Sequence, residues 1–187
     1  MKDLSNLSMN YTILTMKEGT DMNPWKSKEW MDFYSNKPFV RNALRMHYGK
    51  EIDRKVKLFF YDFSKWLRKN YAFPIRVNVY VKNSCYIKSI DGEHISATFF
   101  GPFDRLVEPY IKIAVGDYYD LIKKYDEFNA LCSCIASLAH ELTHYFQWIN
   151  DFRLTQDQEE RQAKNYAKKI VYAYLNECGY DYLDSLL

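Results

Sequence analysis

His140-Glu141-Leu142-Thr143-His144 sets two imidazoles four residues apart, with a carboxylate beside the first. Residues four apart on a helix are neighbours on one face. Both rings can then reach one cation at the ~2.0–2.1 Å of a zinc–nitrogen bond. A glutamate next to the first ligand can reach a water at that cation and act as general base. Chance would produce this pattern in roughly half a per cent of shuffled sequences of the same composition, so an incidental pair of surface histidines accounts for it poorly. A catalytic zinc needs a third protein ligand and one open position. The remaining histidines, His47 and His94, both precede the motif, so a third ligand from downstream is a carboxylate or a thiolate.

Five downstream carboxylates come into question: Asp151, Asp157, Glu159, Glu160 and Glu177. Asp151 ends the motif helix and lies far along it. Asp157 falls in the first turn of the next helix, where capping and the helix dipole already explain an acid. Cys178 would make an unusual site. Glu160 is followed by Ala163 and Ala167, three and seven residues on, and small residues on its face let that helix pack closely on the motif helix. Glu159 shares a face with Ala163 and the bulkier Tyr166 and Ile170. Glu160 is therefore the preferred third ligand, with Glu159 as the alternative.

The elements that must position these groups are legible from periodicity. Ile52, Val56, Phe59, Phe60, Phe63, Trp66 and Leu67 recur at helical spacing, predicting a helix from about Glu51 to Tyr71. Ile75, Val77, Val79 and Val81 alternate with polar or amphipathic residues, predicting a half-buried strand. Asp91-Gly92 is a turn signal. Ile95–Phe100 and Tyr110–Val115 are two further predicted strands, separated by a loop containing Gly101-Pro102. Asp117 or Asp126 is set to cap the motif helix, predicted over Asp126 to Asn150. There Leu131, Ile135, Leu138, Leu142 and Ile149 form an apolar stripe. Ser133, Ala136, Ser137, His140, His144 and Gln147 lie on another face. Thr155 and Gln158 form a capping-box pair that opens a last helix, running to about Cys178 with Gly179 as its stop. Helix, strands, helix, helix predicts an α+β domain.

His140 to His144, then 15 residues, then Glu160-Arg161-Gln162-Ala163-Lys164-Asn165-Tyr166-Ala167 resembles the gluzincin peptidases. The likeness is greatest to the small bacterial and phage-borne ImmA/IrrE type, whose second helix carries Glu-x-x-Ala followed by an aromatic-Ala pair. It covers about residues 95–175. It implies His140, His144 and Glu160 as ligands of one zinc ion and Glu141 as catalytic base. It also implies a zincin-like fold, a small mixed or antiparallel sheet packed on the motif helix and the Glu-bearing helix. Thr143 and Tyr145 depart from the pattern, which has Gly followed by a small or aliphatic residue there. The resemblance further implies an edge strand that binds extended peptide by β-addition. Ile95–Phe100 is the candidate, with Ile95, Ser96, Ala97 and Thr98 as substrate-binding residues and Tyr110–Val115 inside the sheet. His94 is read as a turn-flanking surface residue and His47 as local packing.

Bulk composition narrows the class. The chain has 187 residues, 48% of them hydrophobic, with 17 Tyr, 12 Phe and 4 Trp, which excludes a disordered chain. Lys plus Arg number 26 against 24 Asp plus Glu, a net charge of +2 that gives no strong attraction to nucleic acid or anionic membrane. The four cysteines form no C-x-x-C pair and read as reduced thiols. Residues 1–30 read as an N-terminal extension with one short strand at Tyr11–Met16, and 31–187 as a single metallopeptidase domain. No apolar h-region or membrane-length apolar run occurs, so a soluble, cytoplasmic protein is expected. The resulting expectation is a zinc-dependent endopeptidase acting on a peptide or protein substrate, with no nucleic-acid partner. Its rivals are an inactive or regulatory binding protein on a zincin scaffold, and a metal-dependent hydrolase of non-peptide amides.

Overall fold

The structure is a computed structural model that describes residues 22–37, 41–89 and 92–179. The predicted Tyr11–Met16 strand lies outside the described residues. The elements run in the order α1 (Trp30–Tyr34), β1 (Leu44–Tyr48), α2 (Arg54–Asn70), β2 (Val77–Lys82), β3 (Ile87–Lys88), β4 (His94–Ile95), β5 (Ala97–Phe100), β6 (Tyr110–Ala114), α3 (Tyr118–Lys124), α4 (Glu127–Ile149) and α5 (Gln156–Glu177). The chain is thus α+β, as its periodicities imply, and its sheet is small and mixed. Helix ends are set by local chemistry. Asp53 accepts from the Lys55 amide to start α2, Asp126 accepts from the Asn129 amide to start α4, and Thr155 and Gln158 close a reciprocal capping box at α5. Of the two aspartates considered for the motif helix, Asp126 caps it. Asp117 instead precedes the short α3 and makes no side-chain cap bond.

Four strands form one sheet in the order β1-β2-β6-β5. β1, β2 and β6 are parallel, whereas β5 runs antiparallel to β6. The inner face carries Val77, Val79, Val81, Ile111 and Ile113, all buried against apolar residues of α2 and α4 such as Phe60, Phe63, Ile135, Leu138 and Leu142. The other face is wetter: His47 stacks on Tyr80, and Phe100 stacks on Tyr110. β1 is an element the periodicity reading did not assign. Leu44 and His47 face opposite sides, and the alternation Leu-Arg-Met-His-Tyr was its available signal. The single strand expected over Ile95–Phe100 is divided. His94–Ile95 pairs with β3 in a separate two-stranded sheet, and the chain crosses at Ser96 into β5.

Residues 22–30 are tied to the body. Trp25 is buried against Tyr71 and Phe146, and its indole N–H donates to Thr143 Oγ1 at 2.9 Å. Asn150 Nδ2 donates to the Pro24 carbonyl at 3.2 Å. Gly116 permits one close approach. A Cβ there would lie 2.5 Å from the Ser84 carbonyl carbon, so only glycine lets the turn after β6 close on the loop after β2. Among the described residues, no helix is long and apolar enough to cross a membrane.

Candidate metal centre

α4 and α5 are the most extensively packed pair of helices, and the site lies between them and β5. Ala163 and Ala167 are buried where α5 meets α4. With no bulk beyond Cβ at those positions, the helices come close enough for the Glu160 carboxylate to meet both imidazoles. His144 Nε2 lies 3.2 Å from His140 Nε2 and 3.2 Å from Glu160 Oε1, and His140 Nε2 lies 3.4 Å from Glu160 Oε2. His140, His144 and Glu160 together could hold a metal ion. Glu160, and not Glu159, faces the pair. Glu159 borders the same cleft, and its burial raises its carboxyl pKa.

None of the other downstream candidates joins the His140–His144–Glu160 group. Glu177 accepts from Lys69 and from the Trp66 indole N–H, Asp151 pairs with Arg105, and Cys178 is exposed at the end of α5. Burial pushes the Cys132 and Cys134 thiols up to about 12, so neither is a ready thiolate. Thr143 and Tyr145, the residues that depart from the gluzincin pattern, point away from the site. Thr143 Oγ1 donates to the Ala139 carbonyl and accepts from Trp25. Tyr145 is buried, with its hydroxyl donating to the Ile75 carbonyl at 2.8 Å. Both serve the packing of the motif helix on its rear side.

A cleft of about 1370 Å³ runs over the cluster and along β5. Ile95, Ser96, Ala97 and Thr98 all border it, as do His140 and Glu141. β5 is an edge of the sheet: among the described residues, no strand pairs with its outer side. The Ala114 amide donates to the Ser96 carbonyl, so by antiparallel alternation Ser96, Thr98 and Phe100 turn their backbone groups toward β6. Ala97 and Phe99 turn theirs outward. The Phe99 backbone lies close enough to the Glu141 carboxyl to favour its ionised form. That contact joins edge strand and motif helix, and spacing within the sequence carries no sign of it.

Glu141 is 8% exposed. Burial, and then the charge of Glu160, pushes its carboxyl up to about 8, while the Phe99 backbone works in the opposite sense. Burial and the neighbouring His144 hold His140 below the usual imidazole range, against the pull of Glu160. The imidazole is thereby kept neutral, the state that ligates a metal. A raised carboxyl pKa has a definite consequence for the metal-free protein. The folded state holds a proton on Glu141 that the unfolded chain releases above about pH 4.5. Stability from this group is complete below that pH and is lost as pH rises toward 8. In metal-free protein, Glu141→Gln should remove this slope. Urea unfolding from pH 4.5 to 8.5 should show the variant gaining on the wild type by a few kcal/mol, at about 1.4 kcal/mol per pKa unit. Parallel curves would contradict the assignment.

No known protein family, curated protein or solved structure matches the chain.

Proposed function

We propose that the protein is a zinc-dependent metallopeptidase of the gluzincin type. One observation carries the reading: two histidine nitrogens and a glutamate carboxylate, from two helices, converge within 3.2–3.4 Å of one another. With one donor atom from each residue the three lie within 4.8 Å of one another, and corners of a tetrahedron with bonds of about 2.0–2.1 Å are roughly 3.3–3.4 Å apart, so this donor set suits zinc in its chemistry and needs only small side-chain rotations to close on one ion. His140, His144 and Glu160 would hold the ion and leave a fourth position to the cleft. Bound zinc supplies Lewis acidity, polarising a carbonyl and acidifying a water.

The chain's own residues account for the rest. Glu141, buried at the cleft floor, takes the proton of the attacking water and returns it to the leaving amine. A nearby cation favours its carboxylate form, opposing the burial that otherwise keeps it protonated. The outward backbone groups of Ala97 and the carbonyl of Phe99, whose amide faces Glu141, suit an extended peptide lying along β5, with main-chain hydrogen bonds giving affinity that tolerates varied sequence. A non-peptide amide hydrolase would be better served by an enclosed pocket than by a long groove beside a sheet edge. An inactive scaffold would lack a ligand or the base, and all four residues are present.

The test is metal analysis of purified protein combined with cleavage of an unstructured protein such as casein. One equivalent of zinc, activity abolished by chelator and activity restored by zinc are expected. Stoichiometric zinc with no cleavage of any peptide would favour the regulatory reading.

A further inference from the structure

His144 has a second nitrogen, and the groups behind it decide which form of the ring faces the cleft. Its Nδ1 lies 2.8 Å from Gln147 Oε1. Gln147 Nε2 donates to the Glu159 carbonyl at 3.1 Å and to Gln162 Oε1 at 2.9 Å. Gln162 Nε2 in turn donates to the Met22 carbonyl at 3.2 Å. Gln147 and Gln162 are 3% and 6% exposed, so water does not substitute freely for these partners. Side-chain amides are ordinarily ambiguous as to which end is oxygen. Here two backbone carbonyls, which only accept, remove the ambiguity. The Met22 carbonyl requires the NH₂ end of Gln162, turning its oxygen to Gln147. The Glu159 carbonyl and that oxygen both require the NH₂ end of Gln147. The oxygen of Gln147 is then left for His144, and an acceptor there requires a proton on Nδ1.

We infer that Gln147 is a positioning residue that fixes His144 as the Nδ1–H tautomer, its own orientation set directly by the backbone carbonyl of Glu159 and, through Gln162, by that of Met22. The Nε2 lone pair is thereby aimed at His140 and Glu160 before any cation arrives. Free histidine prefers the opposite tautomer, so the glutamine makes a ligand of a ring that would otherwise present an N–H to the metal position. Partners behind a ligating imidazole orient the ring and raise its basicity, and their loss typically costs about 10–100-fold in metal affinity. The segment at Met22 therefore belongs functionally to the metal centre, although it lies more than a hundred residues away in sequence.

The inference rests on the metal-site reading above, and its primary test needs no metal. Long-range ¹H–¹⁵N spectra of metal-free wild type, at about pH 8.5 where histidine is neutral, should show His144 protonated on Nδ1. A proton on Nε2 would overturn the inference whatever the protein binds. Gln147→Leu should lose that preference and bind zinc about 10–100-fold more weakly in a chelator competition. Gln147→Glu, which still offers an acceptor, should keep the Nδ1–H tautomer. Unchanged zinc affinity in a folded Gln147→Leu protein would also overturn the inference. Gln162→Leu leaves the Glu159 carbonyl to orient Gln147 and should keep the Nδ1–H tautomer, and the wild-type spectrum decides the matter if Gln147→Leu fails to fold. An Nδ1–H wild type that binds no zinc would leave the tautomer assignment standing and defeat the proposed function instead.

Discussion

Replacing Glu141 with Gln should leave zinc bound and remove about 10²–10⁴-fold of the hydrolytic rate, the range that general acid–base catalysis supplies. The side chains are nearly isosteric, and the Phe99 backbone contact at this position remains available to an amide oxygen. Neither His140, His144 nor Glu160 is altered, so metal content should stay at one equivalent. What is lost is a group able to accept a proton from water and return it to nitrogen. Because the buried carboxyl already prefers to be neutral in metal-free protein, a neutral amide should fold at least as well. Metal analysis and steady-state cleavage of the same preparation check both halves. Full activity in Glu141→Gln would remove Glu141 from the chemistry. Loss of zinc together with activity would show that it acts on the metal instead.

The second large effect concerns the pair of adjacent carboxylates. Glu160→Ala should reduce zinc affinity by more than the ~10–100-fold that outer partners cost, and should abolish cleavage at stoichiometric zinc. Glu159→Ala should leave affinity within a few-fold. Alanine suits a helix interior, and the Glu160 side chain is 47% exposed, so a folding defect does not confuse the comparison. The cause of the asymmetry is angular. Adjacent helical residues point about 100° apart, so only one of the two can face α4 along the alanine stripe. Competition against a chromophoric chelator measures the difference. The reverse order of effects would mean that the two helices meet in another register.

Local spacing explains why so much of this site can be read from the chain. His140, Glu141 and His144 lie on one helical turn, and their relative placement depends on helix geometry alone. Glu160 requires one step more, the close packing of two helices, and Ala163 with Ala167 leave a visible trace of that step. The helix ends are equally local: Asp53, Asp126 and Thr155 cap from within a few residues of the amides they satisfy. β1 illustrates the limit. Its alternation is short, and a parallel partner about thirty residues on leaves no turn between the strands to announce the pairing. The split at Ser96 is also invisible in Ile95–Phe100, because both halves are extended and only the partners differ.

The amino-acid sequence by itself determined the kind of chemistry available: two imidazoles and a neighbouring carboxylate on one helix, with only carboxylates and one thiol downstream to complete a donor set. Tertiary structure decided which acid meets the histidines, and that β5 lies open beside Glu141 with its Ala97 and Phe99 backbone groups outward. It also decided that Gln147 and Gln162 connect His144 to the carbonyl of Met22. The physical reason is range. Helical periodicity and capping act over a few residues, while hydrogen bonds such as Gln162–Met22 and Trp25–Thr143 join segments that only the packed core brings together.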